Sequence, residues 1–387
     1  MADGEARHAL TPLIARARAW TFEEALPLWA TIGRDGPGLG FVERLDRDGR
    51  PEPLDFKRFR VQARQIYVFS QAHVMGWVGG LEAARAGYDF IRAHARLEGG
   101  GWAKLLTREG AITDPTFDLY DQAFALYALA WFARASGEDE PLALAEETMA
   151  AIDRRLARGD GRGYRSTDPD SPPGGLQNPH MHLLEAMLAL HQTTGEAKWA
   201  QRAVDLGELF TAALFDADTS TLAEGFDANW KRVTPIVVEP GHQFEWTWLL
   251  MRLGDVTGYY HNMLMKALYE FGEKNGLDAG GRAYDEIAVD GAVVKPTHRL
   301  WPQTELLKAS LARIEGRGCA THPATLIRTL GNILDLYLKP APPGCWRDQL
   351  DADGKPLDQP IPASTLYHLF LAFAELFRLQ PLIEASS

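Results

Sequence analysis

Six short stretches of this 387-residue sequence carry side chains able to move protons or grip a polar ligand. They are Arg64 in QARQIYVFSQAH, Tyr120 in DLYDQAFAL, Asn178 and His182 in QNPHMHLLEA, and His242 and Glu245 in PGHQFEWTWLL. Trp301, Gln303 and Glu305 follow in HRLWPQTELLKA, and His368 lies in PASTLYHLFLAFAEL. Asn178/His182 and Trp301/Glu305 are i,i+4 pairs and His242/Glu245 is i,i+3, so each pair shares one face of a helix. Histidine titrates near neutrality and can take or return a proton, and a fixed arginine can stabilise a developing oxyanion. Other chemistry is open to the same set. His182, His242, Glu245 and His368 are candidate metal ligands, while Glu245 and Glu305 are candidate carboxylates across a glycosidic bond. Bland roles exist too: a core histidine for His368, a helix cap for Asn178 ahead of Pro179, ion pairs for the glutamates, packing for the tryptophans.

The elements that must position these residues are helices. Helical periodicity predicts them near Thr11–Thr31, Phe56–Met75, Trp77–Leu97, Thr116–Ser136, Glu140–Ala157 and Pro179–Thr194. It predicts six more near Ala197–Phe215, Gly241–Val256, Tyr259–Lys274, Leu300–Glu315, Pro323–Leu338 and Ser364–Leu379. Gly76, Gly137, Gly195 and Gly316 stand where a left-handed C-cap would end a helix. Short connections alternate with long ones, and four of the long ones hold a turn signal: RLDRDGRPEPL, KLLTREGAITD, EIAVDGAVVKP and DQLDADGKPLD. From Gly49 to Gly354 the turns recur at about sixty residues, a repeat period for helix pairs that must stack to bury their apolar faces. Six pairs closed into a ring form an (α/α)6 barrel, with even helices inside and the long loops gathered above their N-termini. An open αα-solenoid serving as a binding scaffold is the alternative. All the residues of interest lie near the N-terminal ends of even helices, and the odd helices show no comparable set. The expectation is therefore an all-α fold forming one catalytic domain over residues 1–387.

Composition removes several classes. A formal charge of −12 disfavours a nucleic-acid binder. No apolar run approaches the roughly 18–20 residues that span a bilayer, and the N-terminal stretch lacks the apolar core and cleavage site of a secretory signal. Cys319 and Cys345 form neither a disulfide framework nor a CxxC metal site. These readings predict a cytoplasmic protein with no nucleic-acid or membrane partner. GPGLG at Gly36–Gly40 lacks the GxGxxG spacing, no Walker motif is present, and no Gly-rich phosphate cradle precedes a helix. HExxH and paired-Cys metal motifs are also missing, so no metal or other cofactor is expected. Trp77, Trp102, Trp230 and Trp346 are either sugar-stacking surfaces or core.

The stretches QARQIYVFS, DLYDQAFAL, NPHMHLLEA, PGHQFEW, RLWPQTE and PASTLYHLF resemble the N-acylglucosamine 2-epimerase family, which includes mannose isomerases and cellobiose 2-epimerases. The resemblance runs from Arg64 to His368 and implies an (α/α)6 barrel with its site at the loop-rich mouth. It further implies that His242 and His368 are the acid/base pair. Arg64, Asn178, His182 and Glu245 would bind and polarise an open-chain sugar, Tyr120 and Trp301 would line the pocket, and Gln303 and Glu305 would complete the substrate-binding set. No role carries over to Glu239. The implied reaction removes the C2 proton of an aldose to give an enediolate, with Glu245 orienting His242. Returning the proton to C1 isomerises the sugar; returning it to C2 from the opposite face epimerises it. The expected substrate is a free monosaccharide, D-mannose giving D-fructose, with 2-epimerisation of an N-acylhexosamine or a disaccharide as the alternative. The sequence does not set the oligomeric state, monomer or homodimer.

Overall fold

Twelve helices alternate between an inner and an outer ring in the computed structural model, which describes residues 3–168, 175–316 and 323–385. The inner ring consists of α2 (Phe59–Val74), α4 (Leu119–Ser136), α6 (Gln177–Thr194), α8 (Pro240–Thr257), α10 (Leu300–Glu315) and α12 (Leu366–Ala385), the last led in by a 3₁₀ turn at Ala363–Thr365. The outer ring consists of α1 (Asp3–Ala19, prolonged by a π-helical Trp20–Ala25 and by Leu26–Thr31), α3 (Gly80–His94), α5 (Glu140–Leu156), α7 (Ala197–Leu209, then π-helical Phe210–Leu214), α9 (Asn262–Asn275) and α11 (Pro323–Asn332, then π-helical Ile333–Leu338). Inner segments begin at Phe59, Leu119, Gln177, Pro240, Leu300 and Ala363, which is the sixty-residue period of the sequence.

The ring is closed. Each inner helix packs on the next, and α12 packs back on α2. Gln65 donates to the Ala363 carbonyl across that seam at 2.8 Å. The loops close in the same sense. The strand entering each inner helix pairs with a strand of the following connection: 56–58 with 105–107, 117–118 with 167–168, 175–176 with 225–226, 237–238 with 286–288, and 298–299 with 349–350. The sixth ladder joins 361–362 to 44–45 in the first connection, completing a circle of short antiparallel ladders around the mouth. An open solenoid has no such last step.

The strands explain two displaced helix starts. Residues 56–58 and 117–118 have helix-compatible sequences, but the neighbouring connection supplies a backbone partner and α2 and α4 begin only at Phe59 and Leu119. α1 begins earlier than expected, at Asp3, and passes through Pro12. The carbonyl that Pro12 leaves without a donor belongs to His8, which is exposed, so water can serve it. All four predicted turns are present, with Gly49, Gly110, Gly291 and Gly354 at φ between 82° and 101°. Gly137 and Gly195 are left-handed caps and Gly76 has positive φ, but Gly316 is extended at φ −70°, ψ 119°.

Inner helices are apolar on most faces because both sides are buried, whereas outer helices keep one solvated face. α12 is the one described helix apolar and long enough to cross a bilayer, contrary to the hydropathy expectation, but that segment is 72% buried within the barrel. Trp102, Trp230 and Trp346 are core, Trp346 stacked on Trp29 at 5.1 Å, and Trp77 packs half-buried against the same cluster. Cys345 is a buried free thiol; Cys319 lies outside the described residues.

Candidate active site

The sixty-residue repeat places equivalent positions of the inner segments at one level of the barrel. The sixth residues, counted from the starts given above, are Arg64, Phe124, His182, Glu245, Glu305 and His368. Five of these six were singled out by residue type, and all six are buried. The second residues include Tyr120, Asn178 and Trp301, one turn nearer the mouth, and His242 is a third residue.

Contacts link these positions into one cluster. Arg64 donates to the Tyr120 hydroxyl at 2.6 Å and to the Ser364 carbonyl at 3.4 Å, and its guanidinium lies 4.3 Å over Phe124 and 5.1 Å over Tyr367. It faces no carboxylate among the described residues. Tyr120 packs edge-on against the His182 ring at 5.1 Å. His182 Nδ1 is 3.2 Å from Glu185 Oε2 and 4.0 Å from Glu245 Oε1. Glu245 is 1% exposed and neither of its oxygens has a hydrogen-bond partner among the described residues, so it offers buried acceptors to an incoming hydroxyl. Asn178 sits inside the first turn of α6, where Leu176 is the cap residue, so it caps nothing; its Oδ1 is buried and without a partner.

The Trp301 indole lies against both catalytic candidates, 4.9 Å from the His242 ring and 5.7 Å from the His368 ring. Gly241 makes this possible: a Cβ there would stand 2.4 Å from the Trp301 ring. The two histidines have opposite surroundings. Burial opposes charge on His242, but Glu224 Oε2 at 2.8 Å from Nδ1 and Glu239 Oε2 at 3.9 Å outweigh it, pushing its pKa up to about 9. Burial, reinforced by the charges of Arg64, Lys308, His182 and His242, holds His368 well below its ordinary value. His368 Nδ1 is 2.8 Å from Glu305 Oε1. The other Glu305 oxygen is 2.6 Å from Lys308 Nζ, on a lysine with no exposed surface. Burial and Glu245 raise the Glu305 carboxyl above its usual range, while the Lys308 ammonium at 2.6 Å favours its ionised form, in which Oε1 accepts an Nδ1–H from His368. That tautomer leaves His368 Nε2 with its lone pair.

Two expectations need correction. The Gln303 amide is turned to the backbone rather than offered to a substrate: Oε1 accepts from Ala283 N at 2.8 Å and Nε2 donates to Ala283 O and Arg299 O, both at 3.0 Å. It is the fourth residue of its segment, and its equivalents do the same, Gln62 clamping Phe41, Gln122 clamping Trp102 and Gln243 clamping Leu222. Nor does Glu245 orient His242. Although one turn away, it lies nearest His182, and Glu224 and Glu239 are the closer partners of His242. Glu224, Glu239, Glu185, Lys308 and Tyr367 were missed as site residues. Glu185 and Lys308 are ninth residues of their segments, so the repeat register could have found them; Glu224 lies in the α7–α8 connection, where no spacing points to His242.

Glu224, Glu239 and His242 each present one ligand atom within 4.8 Å of the others, a spacing that could hold a cation. Arg299 Nη2, 3.4 Å from Glu239, and the protonated His242 already supply positive charge there. The glycoside-hydrolase arrangement is not formed, because Glu305 is occupied by His368 and Lys308.

Residues 40–372 match the N-acylglucosamine 2-epimerase (GlcNAc 2-epimerase) family. The chain belongs to that family. It is an enzyme of this group of sugar isomerases and epimerases. It is 37% identical over 371 residues to a mannose-6-phosphate isomerase of Rhizobium meliloti, covering 92% of this chain and 95% of that one. It is 26% identical over 367 residues to a cellobiose 2-epimerase of Ruminococcus albus, covering 89% and 92%. The solved structure of a D-mannose isomerase superposes with a TM-score of 0.85 at 22% identity over 95% of this chain and 97% of that one, so the two share a fold.

Proposed function

We propose that this protein interconverts a free aldose and its ketose, D-mannose and D-fructose, by histidine-mediated proton transfer through an enediolate. The observation that carries this reading is the pair of histidines on one indole whose surroundings drive their protonation apart. His242, protonated at neutral pH, is the acid that donates to a sugar oxygen during ring opening and carbonyl polarisation. His368, neutral with Nε2 open, is the base that takes the C2 proton and delivers it to C1. The bond lost at C2–H is replaced by C1–H, His242 gives its proton to the C1 oxygen as the enediolate forms, and the O–H proton at C2 returns to His242 as the ketone forms. Arg64, a buried guanidinium with no carboxylate partner among the described residues, stabilises the charge on the enediolate oxygens. Glu245, Asn178 and His182 receive sugar hydroxyls, with Tyr120 and Trp301 as walls.

The charge pattern favours an unphosphorylated sugar. At the mouth, Arg60 is held by Asp121, Arg58 by Glu43, Lys104 by Asp118 and Arg299 by Asp285 and Glu239. A phosphate bound by any of these four side chains would have to break its pair. The resemblance to a mannose-6-phosphate isomerase makes the comparison worth testing directly. Incubation with D-mannose, D-fructose, mannose 6-phosphate, cellobiose and N-acetylglucosamine, followed by product identification, is the test. Fructose from mannose, with little turnover of the phosphate, is expected. Mannose 6-phosphate as the preferred substrate would overturn the neutral-sugar reading, and a C2 epimer as main product would replace isomerisation by epimerisation. Epimerisation is the second reading because of the R. albus relative, and because a second histidine is available to return a proton to C2.

A further inference from the structure

The end of the barrel opposite the mouth holds a cavity of about 730 Å³ among the C-terminal halves of the inner helices. That volume suits a small molecule. Its inner end is Glu185, only 3% exposed. One oxygen of this carboxylate, Oε2, faces the mouth, where it accepts from the Tyr367 hydroxyl at 2.5 Å and lies 3.2 Å from His182 Nδ1. The other, Oε1, is buried and has no partner. A buried acceptor without a donor from the protein takes an O–H from whatever occupies the cavity beside it.

The outer part of the cavity has a different character. Arg252 and Arg378 line it, but both are neutralised by Glu315 and Glu375. Arg18 and Arg134, also lining it and both exposed, face no carboxylate among the described residues. Arg18 lies 4.3 Å over the Phe377 ring and Arg134 lies 5.1 Å over the Trp131 ring. The cavity therefore presents an unmatched acceptor within, aromatic walls, and two unneutralised guanidinium groups further out. We propose that it is a binding site for a small polyhydroxylated anion, which places a hydroxyl on Glu185 Oε1 and its charged group on Arg18 and Arg134.

Because the opposite oxygen of Glu185 holds His182 and Tyr367, an occupant alters the site from behind. Because His182 receives sugar hydroxyls in the proposed function, the effect falls chiefly on KM for the sugar, a consequence that rests on that reading, whereas binding itself does not. The test titrates gluconate and sorbitol 6-phosphate, with neutral sorbitol as comparison, against the tryptophan fluorescence of the full chain. Saturable quenching by either anion is expected, with sorbitol weaker by about tenfold or more. Whichever anion binds tells whether the charged group is a carboxylate or a phosphate. The double variant Arg18→Glu/Arg134→Glu, at exposed positions, should lose that binding and keep its turnover of sugar in the absence of anion. His242→Ala should keep the anion binding. Failure of both anions to saturate would overturn the proposal, as would binding that survives the double variant and disappears in His242→Ala.

Discussion

Glu224→Gln separates the electrostatic account of His242 from a purely structural one. His242 keeps its proton because Glu224 stands 2.8 Å and Glu239 3.9 Å from Nδ1, against a burial that alone would remove it. The amide preserves shape and removes the nearer charge. An opposite charge this close moves a pKa by roughly 1–3 pH units, so with Glu239 still present the His242 value should fall from about 9 to roughly 7–8. The acid must be protonated to act, so the alkaline limb of kcat/KM moves down with it. At pH ~8.5 a group of pKa about 9 is about three-quarters protonated and one of ~7.5 about one-tenth, a rate loss of roughly eightfold. At pH ~6.5 both are protonated and the loss nearly vanishes. The assay is a pH profile of initial rates on both proteins, with circular dichroism confirming equal folding. An alkaline limb that stays in place, or a loss equal at every pH, would refute the reasoning.

Arg64→Ala should lower kcat by about 10²–10³, the usual loss when one preorganised oxyanion donor is removed, and Arg64→Lys should recover only part, since its fork also holds Tyr120; a change confined to KM would contradict this. Gln303→Leu should destabilise by about 2 kcal/mol or more, because it leaves Ala283 N without an acceptor inside the protein, yet leave KM unchanged; thermal melts and sugar kinetics check both. Exhaustive chelation should leave the rate intact, and a loss restored by added Zn²⁺ or Mn²⁺ would make Glu224, Glu239 and His242 a functional metal site.

Much of the fold was legible because a repeat states its own period. The Asp-Gly and Glu-Gly turns and the alternation of connection lengths gave the helix pairs, and the registration of polar residues gave the inner helices. Gln62, Gln122, Gln243 and Gln303 each precede a sixth-position residue by two, a pattern visible in QAR, QAF, QFE and QTE. Read as a repeat feature, it marks Gln303 as a loop clamp; read as a polar residue beside Glu305, it misleads. Glu245 misled for a related reason. Helical spacing shows which residues share a face of one helix, but in a ring the nearest neighbour stands on the adjacent helix, so Glu245 meets His182 of α6 before His242 of its own α8. Glu224 was invisible because a loop residue reaches His242 only through the ladder of 175–176 with 225–226, which tertiary pairing alone creates.

Turnover of D-mannose in D₂O tests proton transfer by His368 most directly. An enediolate route passes the C2 proton to an imidazole whose N–H exchanges with solvent, so the fructose formed should carry deuterium at C1. Incorporation should be less than stoichiometric if one imidazole carries the proton across. Fructose formed with no deuterium at any carbon would show that hydrogen never left the sugar as a proton, and would remove His242 and His368 from their acid/base roles.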